Sequence, residues 1–357
     1  MHFLFFFLPL LVLGAEIELF CDWSCDAKGI VSTLENVPEK ELSLNHLLSR
    51  HLKERGHLLK SLDIDAYHPW LITWKGVKNF QDLKHWLKLG LGRKQPILPE
   101  TKYWMFWNLG PKLKECNLAK TATEKMILVM WEPPTVQKEL YDPKIQSCFG
   151  KIFTWDDDLV DNKKFFKFHY PALVPMANDL PSFEEKKFCV MICRRLTSKH
   201  PRELYSMRKK MIRFFEEKPA GEFDLYGYFW EREKFKNWRG ALHSNKIEKL
   251  KEYKFSICYE NMGDVKGYIT EKIFDCFGAG VIPVYWGASN VTDYIPADCF
   301  IDRRKFASDE EVYQFMKQMS AQEYEGYLAR IRAFLQSDQA KLFTAEHFIQ
   351  RLLQLLT

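Results

Sequence analysis

Residues 254–290 read KFSICYENMGDVKGYITEKIFDCFGAGVIPVYWGASN, and this stretch decides the fold. An apolar run, 255–259, is followed by a polar loop, a helix start and a second apolar run, 281–285. Strand, loop, helix and strand in that order form a βαβ unit, whose two strands are parallel and whose ligands bind beyond the strands' carboxyl ends. Thr270 is placed to cap the helix, with Glu271 and Lys272 in its first turn,. There the backbone N–H groups favour an anion, and Lys272 adds a full positive charge. Gly278 and Gly280 are expected to end the helix and let it pack closely on the sheet. Pro283 lacks an N–H for the ladder and so belongs near the start or edge of its strand,.

Working outward, the same alternation continues. Strands are expected at 188–193 and at 223–226, the latter closed by Gly227. Helices are expected at 202–217, which is strongly basic, and near 247–253, with terminal helices at 309–319, 322–335 and 348–356,. Toward the amino end, 42–62 carries leucines at helical spacing, and 103–110, 125–131 and 149–155 read as buried strands ending in turn residues,. The last of these runs into Asp156, Asp157 and Asp158. Prolines cluster between Tyr170 and Pro181, which places a boundary near Pro175 between an N-terminal domain, 16–175, and a C-terminal domain, 176–357,. Each half is then a Rossmann-like α/β domain built on a parallel sheet.

The 357 residues, 46% of them hydrophobic, are enough for two domains with buried cores,. A net charge of +5 is dispersed among both signs, which suits a phosphate-bearing ligand and not a nucleic-acid tract,. The nine cysteines lack the paired spacing of a zinc site, and Cys189, Cys193, Cys258 and Cys276 sit in apolar runs as small hydrophobes; Cys21 and Cys25 could close a loop in an oxidising compartment,. The apolar run 3–13 has the length of a signal-peptide core or short membrane anchor, without a basic flank before it,. A secretory-pathway or membrane-associated location follows as an expectation: Golgi for a eukaryotic chain, cell envelope for a bacterial one. Asn290-Val291-Thr292 is a glycosylation sequon by pattern, expected to be unmodified because it adjoins the ligand segment,.

Three groups of residues together resemble the α1,3-fucosyltransferases of glycosyltransferase family 10: Tyr259-Glu260-Asn261, Tyr268-Ile269-Thr270-Glu271-Lys272-Ile273, and Gly280-Val281-Ile282-Pro283-Val284-Tyr285-Trp286-Gly287. The resemblance implies a GT-B architecture, two Rossmann-like domains facing across a cleft, the first binding an acceptor and the second GDP-fucose. It implies transfer of L-fucose with inversion to a GlcNAc-containing, LacNAc-type glycan in α1,3 linkage, with α1,4 as an alternative. No cofactor is then required and a divalent metal is dispensable. By resemblance Arg208 and Lys272 take the diphosphate, Glu271 the fucose or its developing charge, and Tyr268 and Asn261 the nucleotide and sugar pocket. Arg202 and Arg213, on the same helix, compete with Arg208 for its role.

Met130-Trp131-Glu132-Pro133-Pro134 resembles the family's short acidic motif, and Glu132 is the expected general base. Asp156, Asp157 and Asp158 are expected to line the acceptor cleft, or one of them to be the base instead; a metal role for them is disfavoured. An ordinary rival stands beside each assignment. Glu271 and Lys272 could be a solvated surface pair, Arg208 an exposed arginine, and Glu132 a turn residue. At the level of the whole chain the rivals are a GT-B transferase using another nucleotide sugar and a catalytically silent glycan- or nucleotide-binding protein.

Overall fold

The computed structural model describes residues 16–21, 58–61, 101–108, 123–242 and 245–356. They belong to two compact units, Met1–Val129 with Gln146–Lys151, and Met130–Ile145 with Ile152–Thr357. In the first, β1 (Glu16–Cys21), β2 (Leu58–Ser61), β3 (Thr101–Trp107) and β4 (Met126–Met130) run parallel in the order β2-β1-β3-β4. Every residue of β4 is buried, as a continuous apolar run in a parallel sheet must be,. The helix expected over 42–62 is overturned at its end, because Leu58–Ser61 is a strand paired with β1. Four residues are too few to show a period of two, and the leucines before them supply a misleading helical spacing. The leader, 1–15, and the rest of 42–57 lie outside the described residues.

After the single turn α1 (Pro143–Gln146) come β5 (Lys151–Thr154) and β6 (Phe165–Lys167), paired in parallel. The second unit is built on five parallel strands: β7 (Lys187–Ile192), β8 (Phe223–Tyr226), β9 (Tyr253–Tyr259), β10 (Ile282–Trp286) and β11 (Ile301–Asp302). Their order is β11-β10-β9-β7-β8. The chain winds outward in one direction from β7 to β8 and in the other from β9 to β11, so the order reverses between β7 and β9. In open α/β sheets that reversal opens a crevice at the carboxyl ends, where ligands bind.

Six helices accompany this sheet: α2 (Tyr205–Glu216), α3 (Lys246–Leu250), α4 (Glu271–Gly278), α5 (Asp309–Gln318), α6 (Ala321–Leu335) and α7 (Ala345–Leu356). α4 buries Ile273, Phe274, Cys276 and Phe277, of which Ile273, Phe274 and Phe277 each contribute roughly 1.5–3 kcal/mol,. Its start is capped by Thr270, as expected. α6 opens with a reciprocal capping box between Ser320 and Glu323,. Pro283 is the second residue of β10, in register with Ser256 of β9, and β11 pairs only with Val284 and Tyr285, so on the β11 side the missing N–H has no strand residue opposite it,.

Two expectations about the joints change. The proline-rich stretch near Pro175 falls inside the second unit, because its backbone is tied down there: Ala172 and Leu173 donate to the Phe343 carbonyl and Ala177 to that of Gly278. Gly278 and Gly280 admit this same stretch. A Cβ on Gly278 would sit 2.5 Å from the Val174 side chain, and one on Gly280, at φ +58°, 2.3 Å from Leu180. The close approach is therefore to 174–180 and not to the sheet.

Candidate active site

At the carboxyl ends of β7 and β9, a cavity of about 30 Å³ is lined by Cys193, Arg208, Lys246, Tyr259, Lys272 and Cys276 among others. It lies where the strand order reverses, and three of its lining groups are cations.

Lys272 reaches it from the first turn of α4. Its Nζ lies 3.2 Å from Glu260 Oε2 and 3.2 Å from Glu271 Oε1, and donates to Thr270 Oγ1 at 3.0 Å. Glu260 is fully buried and accepts from the Thr270 N–H and hydroxyl at 2.8–2.9 Å. The cap, the cation and the buried carboxylate thus form one cluster. Burial opposes the charge on Lys272, but Glu260 and Glu271 outweigh it and hold the ammonium pKa above its ordinary value. Burial likewise opposes ionisation of Glu271, yet Lys272 and Lys246 outweigh it and draw its pKa down to about 2. Glu271 is about half exposed, 53%, against 22% for Lys272, so it faces outward while the lysine is held inward.

Arg208 is not a surface arginine; it is only 4% exposed. Its Nη2 donates to the Tyr259 carbonyl at 2.6 Å and to Asn261 Oδ1 at 3.0 Å, which fixes Asn261 at the end of β9. Arg202 is exposed and donates to the Asp264 carbonyl, whereas Arg213 pairs with Glu216 at 2.5 Å. Of these three arginines, Arg208 is the one that lines the cavity. Lys246 pairs with Asp275 at 2.7 Å and acts on Glu271. Tyr268 is buried, with its ring 4.5 Å from that of Trp155 and 6.3 Å from that of Tyr170.

Glu132 follows β4 in the second unit, its carbonyl accepting from the Tyr141 hydroxyl at 3.2 Å. Burial raises its carboxyl pKa above the ordinary value, with Lys272 pulling against and Glu271 with that shift. The half-buried carboxylate thus lies within electrostatic reach of Lys272 and Glu271. The aspartates diverge. Asp157 pairs with Lys167 at 2.6 Å and accepts from Asn290 Nδ2 at 3.0 Å and Tyr294 at 2.8 Å. Burial raises its pKa, but these partners outweigh it and the net shift is downward. Asp158 is exposed and pairs with Lys266 at 2.8 Å. Asp156 is half-buried and its pKa is raised, chiefly by desolvation; of the three it is the one placed to act on Tyr141 beside Glu132. Among the described residues no three His, Cys, Asp or Glu side chains converge as a metal cluster.

Glu260, Lys246 and Asp275 are the site residues the sequence reading missed. Glu260 was visible as part of Tyr259-Glu260-Asn261, and a carboxylate closing an apolar strand is a signal for a buried pair. Gly287 guards it: a Cβ there would lie 2.2 Å from the Tyr285 hydroxyl and 2.6 Å from Glu260 Cγ. Gly287→Ala is therefore expected to cost about 1–3 kcal/mol by overpacking, read as a lower melting temperature.

Residues 184–348 match the family model described as glycosyltransferase family 10 (fucosyltransferase) C-term. Over this segment, somewhat under half of the chain, the sequence is similar to glycosyltransferase family 10. An α-(1,4)-fucosyltransferase of Arabidopsis thaliana is 38% identical over 82 residues, 23% of this chain and 19% of that protein. The α-(1,3)-fucosyltransferase FucT of Helicobacter pylori is 35% identical over 82 residues, 23% of this chain and 17% of it. In Mus musculus, 4-galactosyl-N-acetylglucosaminide 3-alpha-L-fucosyltransferase 9 is 40% identical over 77 residues, 21% of each chain. The matches thus span about a fifth of the length of these relatives, and both linkages occur among them. A crystal structure of an α1,3-fucosyltransferase with GDP aligns with TM-score 0.53 at 14% identity over 96% of this chain and 91% of that one. Its counterpart with GDP-fucose aligns at 0.51 and 14% over 96% and 90%. At such identity the likeness is one of fold, and the fold is GT-B, as expected.

Proposed function

We propose that the chain transfers L-fucose from GDP-β-L-fucose to a hydroxyl of a LacNAc-type glycan, with inversion, in α1,3 or α1,4 linkage. The observation that carries this is the cluster of Arg208, Lys246 and Lys272 at the β7/β9 reversal, beside a carboxylate whose proton affinity is raised.

The cavity is too small for a diphosphate, so the donor phosphates rest at its mouth, against the exposed part of Lys272 and the N-terminus of α4,. There the fixed cations stabilise the charge that grows on the leaving phosphate without reorganising, which leaves no required task for a divalent metal. Glu271, held ionised, lies beside the sugar and offsets the positive charge that develops at its anomeric carbon. Glu132 takes the proton of the attacking hydroxyl on the opposite face. Its raised proton affinity suits that role, since a base works best with a pKa nearer the operating pH,. Tyr268 and Asn261 help form the nucleotide and sugar pocket. Asp157, held by three partners, supports the loop at Lys266–Gly267, whose Gly267 N–H donates to Asn290. The location we propose is the secretory pathway or a membrane surface, reached through residues 1–15.

A donor competition tests this. Purified chain is given GDP-fucose, GDP-mannose and a UDP-sugar with N-acetyllactosamine, and the nucleotide released is measured. GDP-fucose is expected to be consumed selectively; preference for another donor would assign a different sugar to the site, and GDP binding without release would indicate a silent binding protein.

A further inference from the structure

Away from the candidate active site, α5 and α6 are joined by Met319 and Ser320 and line an open groove of about 640 Å³. Its volume falls within the roughly 300–1,000 Å³ of small-ligand sites, and it shares no lining residue with the cavity at the β7/β9 reversal. α5 contributes Phe315 and Gln318. α6 contributes Gln322, Gly326 and Arg330, which recur every four residues and so share one helix face, with Tyr327 beside them,.

Gly326 lies in the interior of α6, where glycine costs stability relative to alanine,. Its φ is not positive, and a Cβ there would meet only Arg330 Nη1, at 3.3 Å. Neither backbone conformation nor core packing accounts for it; what the missing side chain preserves is open space in the groove. Phe315 is 40% exposed, with Phe306 packed against it at a ring separation of 5.4 Å. Arg330 is anchored through Nε, which donates to the Asp298 carbonyl at 3.0 Å, and its guanidinium lies 4.7 Å from the Tyr327 ring centre. Among the described residues, nothing accepts from its two terminal nitrogens, and the carboxamides of Gln318 and Gln322 are unbonded.

These groups select a class of ligand. Arg330 is balanced by Glu323, so the lining is neutral, whereas three cations line the candidate active site; a phosphate-bearing ligand finds no charge complement here,. A partner helix docks along an apolar stripe, which Gln318 and Gln322 interrupt. A sugar ring has apolar C–H faces and hydroxyl edges. The faces suit aromatic rings, and the edges suit carboxamides, which donate and accept, and a guanidinium, which donates.

We propose that the groove between α5 and α6 is a second glycan-binding site, taking a neutral oligosaccharide against Phe315 and Tyr327 with hydrogen bonds to Gln318, Gln322 and Arg330. The preference for an oligosaccharide over other neutral polyols rests on the fucosyl-transfer reading, under which the chain already handles LacNAc-type glycans. A glycan held there raises the local concentration of acceptor ends.

NMR of the chain carrying isotope-labelled glutamine, titrated without donor with a tetrasaccharide of two N-acetyllactosamine units, tests this. The signals lost in Gln318→Ala and Gln322→Ala identify the two carboxamides, and both are expected to shift during the wild-type titration. In Phe315→Ala and Gly326→Ala the affinity read from these shifts is expected to fall about tenfold. GDP affinity stays level, and the melting temperature of Gly326→Ala holds or rises. Signals that do not move, or variants that bind as tightly as wild type, would overturn the site. So would a dimer in sedimentation that Phe315→Ala dissociates, since a second copy would then fill the groove. Turnover of GDP-fucose on the same samples separates the two readings: shifts without turnover would sink fucosyl transfer and leave the groove standing, and turnover without shifts would overturn the groove alone.

Discussion

Lys272→Ala is expected to lower kcat/KM for GDP-fucose by about 10²–10³-fold, the usual loss when one preorganised group facing a developing negative charge is removed. The same change strands a carboxylate. Glu260 is fully buried, and Lys272 is its ion-pair partner at 3.2 Å. Breaking a buried pair from one side costs about 3–5 kcal/mol, lowered here because Lys272 keeps 22% of its side chain exposed,. The single variant should therefore be both inactive and less stable, and the two losses have separate origins. Pairing it with Glu260→Gln removes the stranded charge. The double variant is expected to regain melting temperature toward wild type while donor use stays lost. Recovery of activity along with stability would show that Lys272 acts only through the fold.

The second large effect belongs to Glu132. Glu132→Gln is expected to lower kcat by about 10²–10⁴-fold, the contribution of a positioned general base, with GDP affinity retained because the cations are untouched. The pH profile adds a distinct signature. A base must be ionised to act, and desolvation raises the pKa of Glu132 above that of an ordinary carboxyl. Wild-type kcat/KM should thus fall as the pH drops through a range above the usual carboxylate one of about 4.3. Glu271 stays ionised through that range, its pKa lying near 2. In Glu132→Gln the acidic limb should disappear from the residual rate. If the limb persisted with near-normal turnover, the base would be Asp156, whose pKa is raised by the same cause.

Much of this was legible in the chain before any coordinates. The unit from β9 to β10, the Thr270 cap and the placement of Lys272 at a helix start follow from short-range rules, in which neighbours in sequence are neighbours in space,. What escaped depends on distant partners. Nothing near Arg208 in sequence shows that it is buried, because its bonds go to Tyr259 and Asn261, more than 50 residues away. Asp157 reads as one of three equal acids until Lys167, Asn290 and Tyr294 close around it. Glu260 looks like any charged residue at a strand end, and only the fold brings Thr270 and Lys272 onto it. Leu58–Ser61 failed for the opposite reason, since a strand of four residues cannot outvote the helical spacing that precedes it.

The most direct measurement follows the reaction itself by NMR, with purified chain, GDP-β-L-fucose and N-acetyllactosamine in the presence of EDTA. The account predicts one α-linked fucose on the GlcNAc for each GDP released, at a rate that chelation leaves unchanged. A β-linked product, or GDP-fucose that is bound and never turned over with any such acceptor, would contradict it.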